Sequence, residues 1–293
     1  MALDLDALMT LDTVIREGGF AKAASRLHRA QSALSHRIQK LEAQLGLKLL
    51  DRDQYRVTLT PAGQAVLAEG RRVLAEAQRL GALANQLAQG WEATLEIIVD
   101  GILPLEPTLN ALKTMADEKI PTRIQVKVEF LYGVQYRFEK DQADLMLVKD
   151  YSAHSYFSVD TLPDIECVLC AAKDHPLAGR KSVTLMELQQ HVELSVQDSS
   201  ERGNDRHMFG GERVFYLSGF RTKKQALLME LGFGWMPDYL IRDELQDGRL
   251  CEVRYNGGSR YRFAPALVHR RDKPLGRAGQ RLAELILAGV NRP

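Results

Sequence analysis

Cysteine is scarce: Cys167, Cys170 and Cys251 are the only three in 293 residues. So few thiols build no disulfide framework, and they point to a reducing compartment. No apolar run approaches the ~18 residues that a membrane-spanning helix needs. A basic leader is missing as well: the opening "MALDLDALMTLD" carries acids where a signal peptide carries bases. The chain is therefore expected in the cytoplasm, away from membranes. H-E-x-x-H, G-x-S-x-G and G-x-x-x-x-G-K-[ST] are all absent. "GFG" at 232–234 lacks a third glycine, and the seven histidines are scattered without metal-ligand spacing. An enzyme, a metal site and a bound cofactor are not expected.

The 45% hydrophobic and 26% charged residues belong to a folded chain, long enough for two domains. Net charge is only +1, yet it is unevenly spread. Between Phe20 and Arg56 stand eight bases against three acids, a local excess that suits a polyanion.

That basic stretch has helical periodicity. Asp4 is placed to cap a first helix carrying Leu5, Leu8, Leu11 and Ile15, which Gly18-Gly19 stops. A short second helix turns Ala21, Ala24 and Leu27 inward. A third runs from Gln31-Ser32 to Leu45 and ends at Gly46. Its inward set is Ala33 or Leu34, Ile38, Leu41 and Leu45; outward lie Gln31, Ser32, Ser35, His36, Gln39 and Lys40. Short hydroxyls and amides at the amino end, with bases along the sides, fit a major groove. Two tightly joined helices with this face on the second make a helix-turn-helix. "LKLLDRDQYRVTLT" reads as a two-stranded wing whose Lys48, Arg52 and Arg56 reach phosphates. The expected DNA contacts are Gln31, Ser32, Ser35, His36, Arg37, Lys40, Arg52 and Arg56.

Thr60-Pro61 is a helix start, and no further proline interrupts up to about Gln89. Val66, Val73, Leu80 and Leu87 recur seven apart. Gly63, Gly70, Ala77 and Ala84 form a small seam beside them, which lets a second helix approach. Some 28 residues give a rod of roughly 42 Å. Its expected partner is the same helix of another copy, through Val66, Val73, Ala77, Leu80, Ala84 and Leu87. Such a homodimer reads a palindromic site with two probe helices.

Beyond Gly90 the pattern becomes β-α-β-α-β, as in a parallel sheet. Its strands are "TLEIIV", "TRIQVKVEF" and "ADLMLV". A second α/β run starts at "IECVLCAAKDHPLA", passes "VELSV", "RVFYLS", "TKKQALLMELG", "FGWMP" and "DYLIRDELQDG", and closes with one strand, "RFAPALVHR". A last helix covers about 275–288. Ligands in open α/β sheets sit beyond the carboxyl ends of strands. That rule selects Asp100, Gly101, Ile102, Lys149, Ser199, Ser200, Arg202, Arg221 and Thr222, with Asp100 meeting either a ligand amine or Lys149. Helices starting near Leu105 and Thr222 aim their amino ends there and favour an anionic or polar group. Cys167 and Cys170 form a C-x-x-C, but residues three apart on a strand face opposite ways. No second pair completes a four-ligand zinc site.

The residues "AA", "L", "Q-x-A-L-S-x-x-I-x-x-L-E-x-x-L-G" and "L-T-P-A-G" between Ala23 and Gly63 resemble the signature of LysR-type transcriptional regulators. The chain departs from it at Ala30, where Ser or Thr is usual, at Ser32 for a common Pro, and at Leu50 for the wing Phe. Ser32 is placed to take over the capping role. "DHPLA", "ELGFGWMPDYL" and "DELQDGRL" match landmarks of that family's effector domain, similar to a periplasmic-binding protein. The resemblance implies a mainly α winged helix-turn-helix domain (1–60), a linker and dimerisation helix (61–90), and an α/β two-lobed effector domain (91–293). Lobe I is expected at 92–161 plus 268–293, lobe II at 162–267. It further implies a small-molecule inducer, double-stranded promoter DNA as partner, assembly into homotetramers, and room for RNA polymerase as a further partner. Two alternatives remain beside ligand sensing: a regulator that responds to thiol oxidation, and a solute-binding receptor, for which the basic front module has no use.

Overall fold

The computed structural model describes residues 3–51, 57–197 and 207–290, and the chain divides into two compact units, Met1–Ala88 and Gln89–Pro293. In the first, helix α1 (Leu5–Arg16) begins where the Asp4 carboxylate accepts from the amides of Asp6 and Ala7. Helix α2 (Phe20–Leu27) follows the Gly18-Gly19 turn, where φ of +75° at Gly18 suits only a residue without a β-carbon. Helix α3 (Gln31–Leu45) stops at left-handed Gly46. Strands β1 (Leu50–Asp51) and β2 (Thr58–Leu59) pair antiparallel as the base of a wing. Helix α4 (Pro61–Ala88) then runs for 28 residues.

Leu8, Leu11, Val14, Leu34, Ile38, Leu41 and Leu49 are buried together as this unit's core. Several sequence expectations shift by a residue. Leu5 is exposed while Ala7 and Val14 are buried, and Ala21 faces outward while Ala23 faces in; of the two residues left open on α3, Leu34 is the buried one. The reason is geometric: α1 and α2 each meet two neighbours, so the inward stripe widens and rotates. Leu50, in the place of an aromatic residue, is itself buried in this core. Ser32 does not cap α3. It sits inside the first turn after Ala30, whose backbone carbonyl takes the amides of Ala33 and Leu34.

Helix α4 has two halves. Gly63, Leu67 and Gly70 are buried in the first. A β-carbon at Gly63 would overlap the backbone carbonyl of Leu49, and one at Gly70 would stand 3.0 Å from the Leu8 side chain. The upstream part of the small seam thus serves contact within the chain, not approach of a second helix. Val73 is already 40% exposed, and beyond Leu74 the helix is bare, with Leu80 67% and Leu87 54% exposed.

The second unit carries β3 (Thr94–Asp100), α5 (Glu106–Asp117), β4 (Arg123–Glu129), α6 (Gly133–Lys140), β5 (Leu145–Val148) and β6 (Phe157–Thr161). It continues with β7 (Ile165–Ala172), α7 (Leu185–Gln189), β8 (Glu193–Val196), β9 (Val214–Leu217), α8 (Phe220–Leu228) and β10 (Phe233–Pro237). The last elements are α9 (Asp238–Gln246), β11 (Leu250–Glu252), β12 (Arg260–Phe263), β13 (Ala266–Arg270) and α10 (Arg277–Val290). Among the described residues they build two sheets. One has the order β4-β3-β5-β13-β6, the other β11-β7-β10-β8-β9 with β12 also on β7.

Both sheets are mixed. Strands β3, β4 and β5 run parallel, but β13 is antiparallel to β5 and to β6. "RFAPALVHR" is two strands, not one: β12 pairs with β7 in one sheet and β13 with β5 in the other. Pro265 separates them, because proline has no amide for a continuing ladder. Ala266 and Leu267, expected in lobe II, therefore lie in the sheet of lobe I. The chain crosses between lobes twice, at 162–164 and at 264–265.

Replacing Gly63 by alanine is expected to destabilise the first unit by roughly 1–3 kcal/mol through overpacking. Gly81, where a β-carbon meets open space, is the control: alanine there leaves stability unchanged or raises it. Urea unfolding of the two variants, followed by helical circular dichroism, checks the contrast.

Candidate binding sites

The exposed face of α3 presents Gln31, Ser32, His36 and Lys40, with Ser35 half-buried beside them. No side chain caps its amino end, so the first amides are available to a phosphate. Lys48 is exposed at the foot of the wing, where its carbonyl accepts from the Thr60 hydroxyl at 2.6 Å. Arg37 behaves otherwise than expected. Its guanidinium is paired with Asp6 of α1 at 2.7 Å, a partner 31 residues away, and it braces α3 rather than facing outward. Arg29 shares that carboxylate at 3.6 Å. Arg52 and Arg56 lie outside the described residues.

Glu42, which the sequence reading passed over as one acid in a basic stretch, is buried at the far end of α3. Its Oε1 accepts from the amides of Leu49 (2.8 Å) and Leu50 (3.3 Å). A charge-assisted pair of this kind fixes where the wing leaves the helix.

In the second unit, Asp100 ends β3 and is buried. Its carboxylate accepts from the amides of Ile102 (3.1 Å) and Lys149 (3.4 Å), tying the ends of β3 and β5 together. Burial pushes its pKa from 3.8 up to about 7, against the opposing pull of those two amides and the Lys149 charge. The Lys149 ammonium takes another partner. It donates to the Tyr261 hydroxyl at 3.3 Å, stands 3.6 Å from Asp150, and rests on the rings of Tyr261 and Phe263 at 4.9 and 5.3 Å. Because Tyr261 belongs to β12, this contact spans the two lobes, as does Tyr239 of α9 donating to the Ile102 carbonyl at 3.1 Å. Burial raises the Tyr239 pKa further.

Phe130 completes the junction. Its ring lies where β-carbons of both Gly101, in lobe I, and Gly219, in lobe II, would stand. It faces Phe220 at 6.1 Å between ring centres. Two spaces result. An outer cavity of about 430 Å³ is bordered by Asp100, Gly101, Phe130, Arg221, Thr222 and Tyr239. Ser218 joins it, its hydroxyl 3.2 Å from that of Thr222. An inner space of about 20 Å³, room for roughly one water, is bordered by Ile102, Lys149, Lys223, Trp235 and Tyr261. The expected ligand residues are thus divided: Gly101, Arg221 and Thr222 border the larger space, Ile102 and Lys149 the smaller, and Asp100 both. Ser199, Ser200 and Arg202 lie outside the described residues. Phe130, Tyr239, Lys223 and Tyr261 carried no sequence signal.

The thiols do not combine. Strand register sets Cys251 opposite Ala171, and Cys170 opposite Glu252 and Gly234, so these two project from opposite faces. Cys167 shares a face with Ala171 but lies four residues along the strand, ~13 Å away. Burial pushes the Cys170 thiol up to about 12 and raises Cys251 too, the reverse of what a redox-sensing thiolate needs. Among the described residues no group of three His, Cys, Asp or Glu is arranged to hold a metal, and no helix is long and apolar enough to cross a membrane.

Asp100 has a folded pKa above its unfolded one. The stability it supports is therefore full below about pH 4 and is lost as pH rises through about 7. Asp100→Asn is expected to flatten the fall in melting temperature between pH 5 and 8 and to melt higher than the parent at pH 8. Melting curves across that range check it.

Sequence models agree with this division. One described as "Bacterial regulatory helix-turn-helix protein, lysR family" matches residues 5–64, and one described as "LysR substrate binding domain" matches residues 88–291. The chain is 31% identical to the probable HTH-type transcriptional regulator YhaJ of Escherichia coli over 258 residues, 86% of each chain. Its fold is similar to the Corynebacterium glutamicum OxyR C206 mutant, with TM-score 0.67 and 21% identity over 99% of this chain and 93% of that one. It is also similar to full-length LysG of that organism with bound effector Arg, with TM-score 0.52 and 17% identity over 98% of each. The chain belongs to the LysR family of DNA-binding transcription regulators, with an N-terminal helix-turn-helix domain and a C-terminal substrate-binding domain.

Proposed function

We infer that this regulator reads base edges with Gln31, Ser32, Ser35 and His36, supported on phosphates by Lys40, Arg52 and Arg56. The observation that carries the reading is the uncapped, exposed amino end of α3 standing on a packed core. Exposed polar side chains there are open to base edges, while free amides favour phosphate. Arg37 is left out of this set because Asp6 holds it. The site of action is the cytoplasm, where promoter DNA lies.

The bare half of α4 supports a homodimer. Val73, Leu80, Ala84 and Leu87 are an exposed stripe at seven-residue and four-residue steps, joined by Val66 and Ala77 at partial burial. Two copies related by a twofold axis present their α3 helices to successive grooves. Pairing of such dimers into a tetramer extends the same logic to longer operators.

The outer cavity is the proposed effector site. Its volume is in the range of metabolite pockets, and its lining mixes the apolar Phe130 with Arg221 and the hydroxyls of Ser218 and Thr222. A ligand there touches both lobes and shifts their closure, which alters the spacing of the DNA readers and the bend they impose.

Ser35→Ala combined with His36→Ala is expected to lower preference for the cognate operator roughly tenfold while leaving random-DNA affinity nearly unchanged. Fluorescence anisotropy on both duplexes decides it, and equal losses would mean that these side chains read no bases. Val73→Glu with Leu80→Glu is expected to yield a monomer by light scattering; an unchanged mass would place the dimer contact elsewhere. Thr222→Trp is expected to abolish any thermal stabilisation of the full chain by a metabolite hit, and stabilisation that survives would move the effector out of this cavity.

A further inference from the structure

Two guanidinium groups converge on one carboxylate oxygen beside the reading helix. Asp6 of α1 takes Arg37 of α3 on Oδ2 at 2.7 Å, and the same Oδ2 stands 3.6 Å from Arg29. The two pairs differ in kind. Arg37 donates a hydrogen bond to the carboxylate, and its side chain is 29% exposed. Arg29 is 44% exposed and too far from Oδ2 for a hydrogen bond. Asp6 is its sole carboxylate partner among the described residues. Two positive charges against one negative leave this cluster one anion short, and guanidiniums that share an oxygen repel each other.

The backbone beneath Arg29 is fixed. His28 closes α2 in the left-handed conformation with φ of +51°, its amide donating to the Ser25 carbonyl at 3.3 Å. The Arg29 amide donates to the Ala24 carbonyl at 3.0 Å. This double closure is a Schellman motif, and it leads directly into Ala30, the cap of α3. Arg29 thus stands two residues before Gln31, its stem anchored in the turn between the two helices and its side chain exposed. Exposed ion pairs contribute little, so Arg29 exchanges partners at small cost. A phosphodiester carries the same single charge as a carboxylate and suits the same planar fork.

We propose that Arg29 is a further phosphate-contacting residue of the DNA interface, and that Asp6 competes with DNA for it. The proposal rests on the reading that α3 faces the groove. On docking, Arg29 leaves Asp6 for a backbone phosphate, while the hydrogen-bonded Arg37 stays and keeps α1 on α3. Breaking the Arg29 pair costs the same on any sequence, so Asp6 weakens binding to every duplex alike. Sequence preference stays with Gln31, Ser32, Ser35 and His36, because phosphate contacts position a protein without reading bases. Asp6 is thereby a built-in phosphate competitor that helps the regulator leave non-operator DNA.

The probe is a random-sequence duplex, titrated with the full-length protein by fluorescence anisotropy across a salt series. Arg29→Gln is expected to reduce the slope of log K against log salt by about 0.9, the share of one phosphate. Asp6→Asn keeps the shape, removes the charge, and should tighten binding about twofold to fivefold. That gain should vanish when Arg29→Gln is added, because nothing is left to release. Asp4→Asn is the control: it removes the same charge two residues away and keeps a capping oxygen, and should give no comparable gain. An unchanged slope in Arg29→Gln, a gain that survives the double substitution, or an equal gain from Asp4→Asn overturns the proposal. The slope of Arg29→Gln decides the matter alone if Asp6→Asn fails to fold. A null result here, beside lost operator preference in the Ser35 and His36 variant, sinks this proposal and leaves the reading helix standing.

Discussion

A backbone amide taken out of water must find an acceptor, and each unit of this protein meets that demand at its working end with a buried carboxylate. Glu42 takes the amides of Leu49 and Leu50, where α3 hands over to the wing. Asp100 takes those of Ile102 and Lys149, where two parallel strands end at the cavity. Ordinary secondary structure cannot satisfy these amides, because the ladder or helix has just stopped. Asp100 uses one oxygen for each of its two segments, whereas Glu42 takes both of its amides on Oε1. These two side chains thereby fix where the wing leaves α3 and where β3 and β5 end at the cavity mouth.

Much of the first unit was legible in the sequence because its signals are local. Asp4, Gly18-Gly19, Gly46 and Thr60-Pro61 mark helix ends through bonds that span only a few residues. Periodicity then names the core to within one position. Long-range partnerships were not legible. Asp6 and Arg37 meet across 31 residues, and nothing in either neighbourhood announces it. Gly63 and Gly70 read equally well as a seam for another helix; only the position of Leu49 and Leu8 assigns them inward.

The second unit shows the same limit at larger scale. Alternating strands and helices reveal an α/β chain, and the strand-end rule selects Gly101, but in the structure that glycine is a place of close approach. Which ring fills that approach depends on Phe130 meeting Gly219 from 89 positions further along. The two lobes are held by Lys149 on Tyr261, by Tyr239 on the Ile102 carbonyl and by this inserted ring. Each is a contact between distant segments, so a linear pattern carries no trace of it. "RFAPALVHR" was misread for a related reason: continuous hydrophobicity looks alike whether a strand stays in one sheet or changes sheets at a proline.

Helix α4 behaves as a shaft keyed at one end. With no side chain at Gly63 or Gly70 to hold them off, its first turns lie directly against Leu49 and Leu8. The bare half is thus continuous with a segment seated against α1, whose Asp6 in turn holds Arg37 of α3. Any turning of that half about its own axis is therefore opposed by the close seat of Gly63 and Gly70.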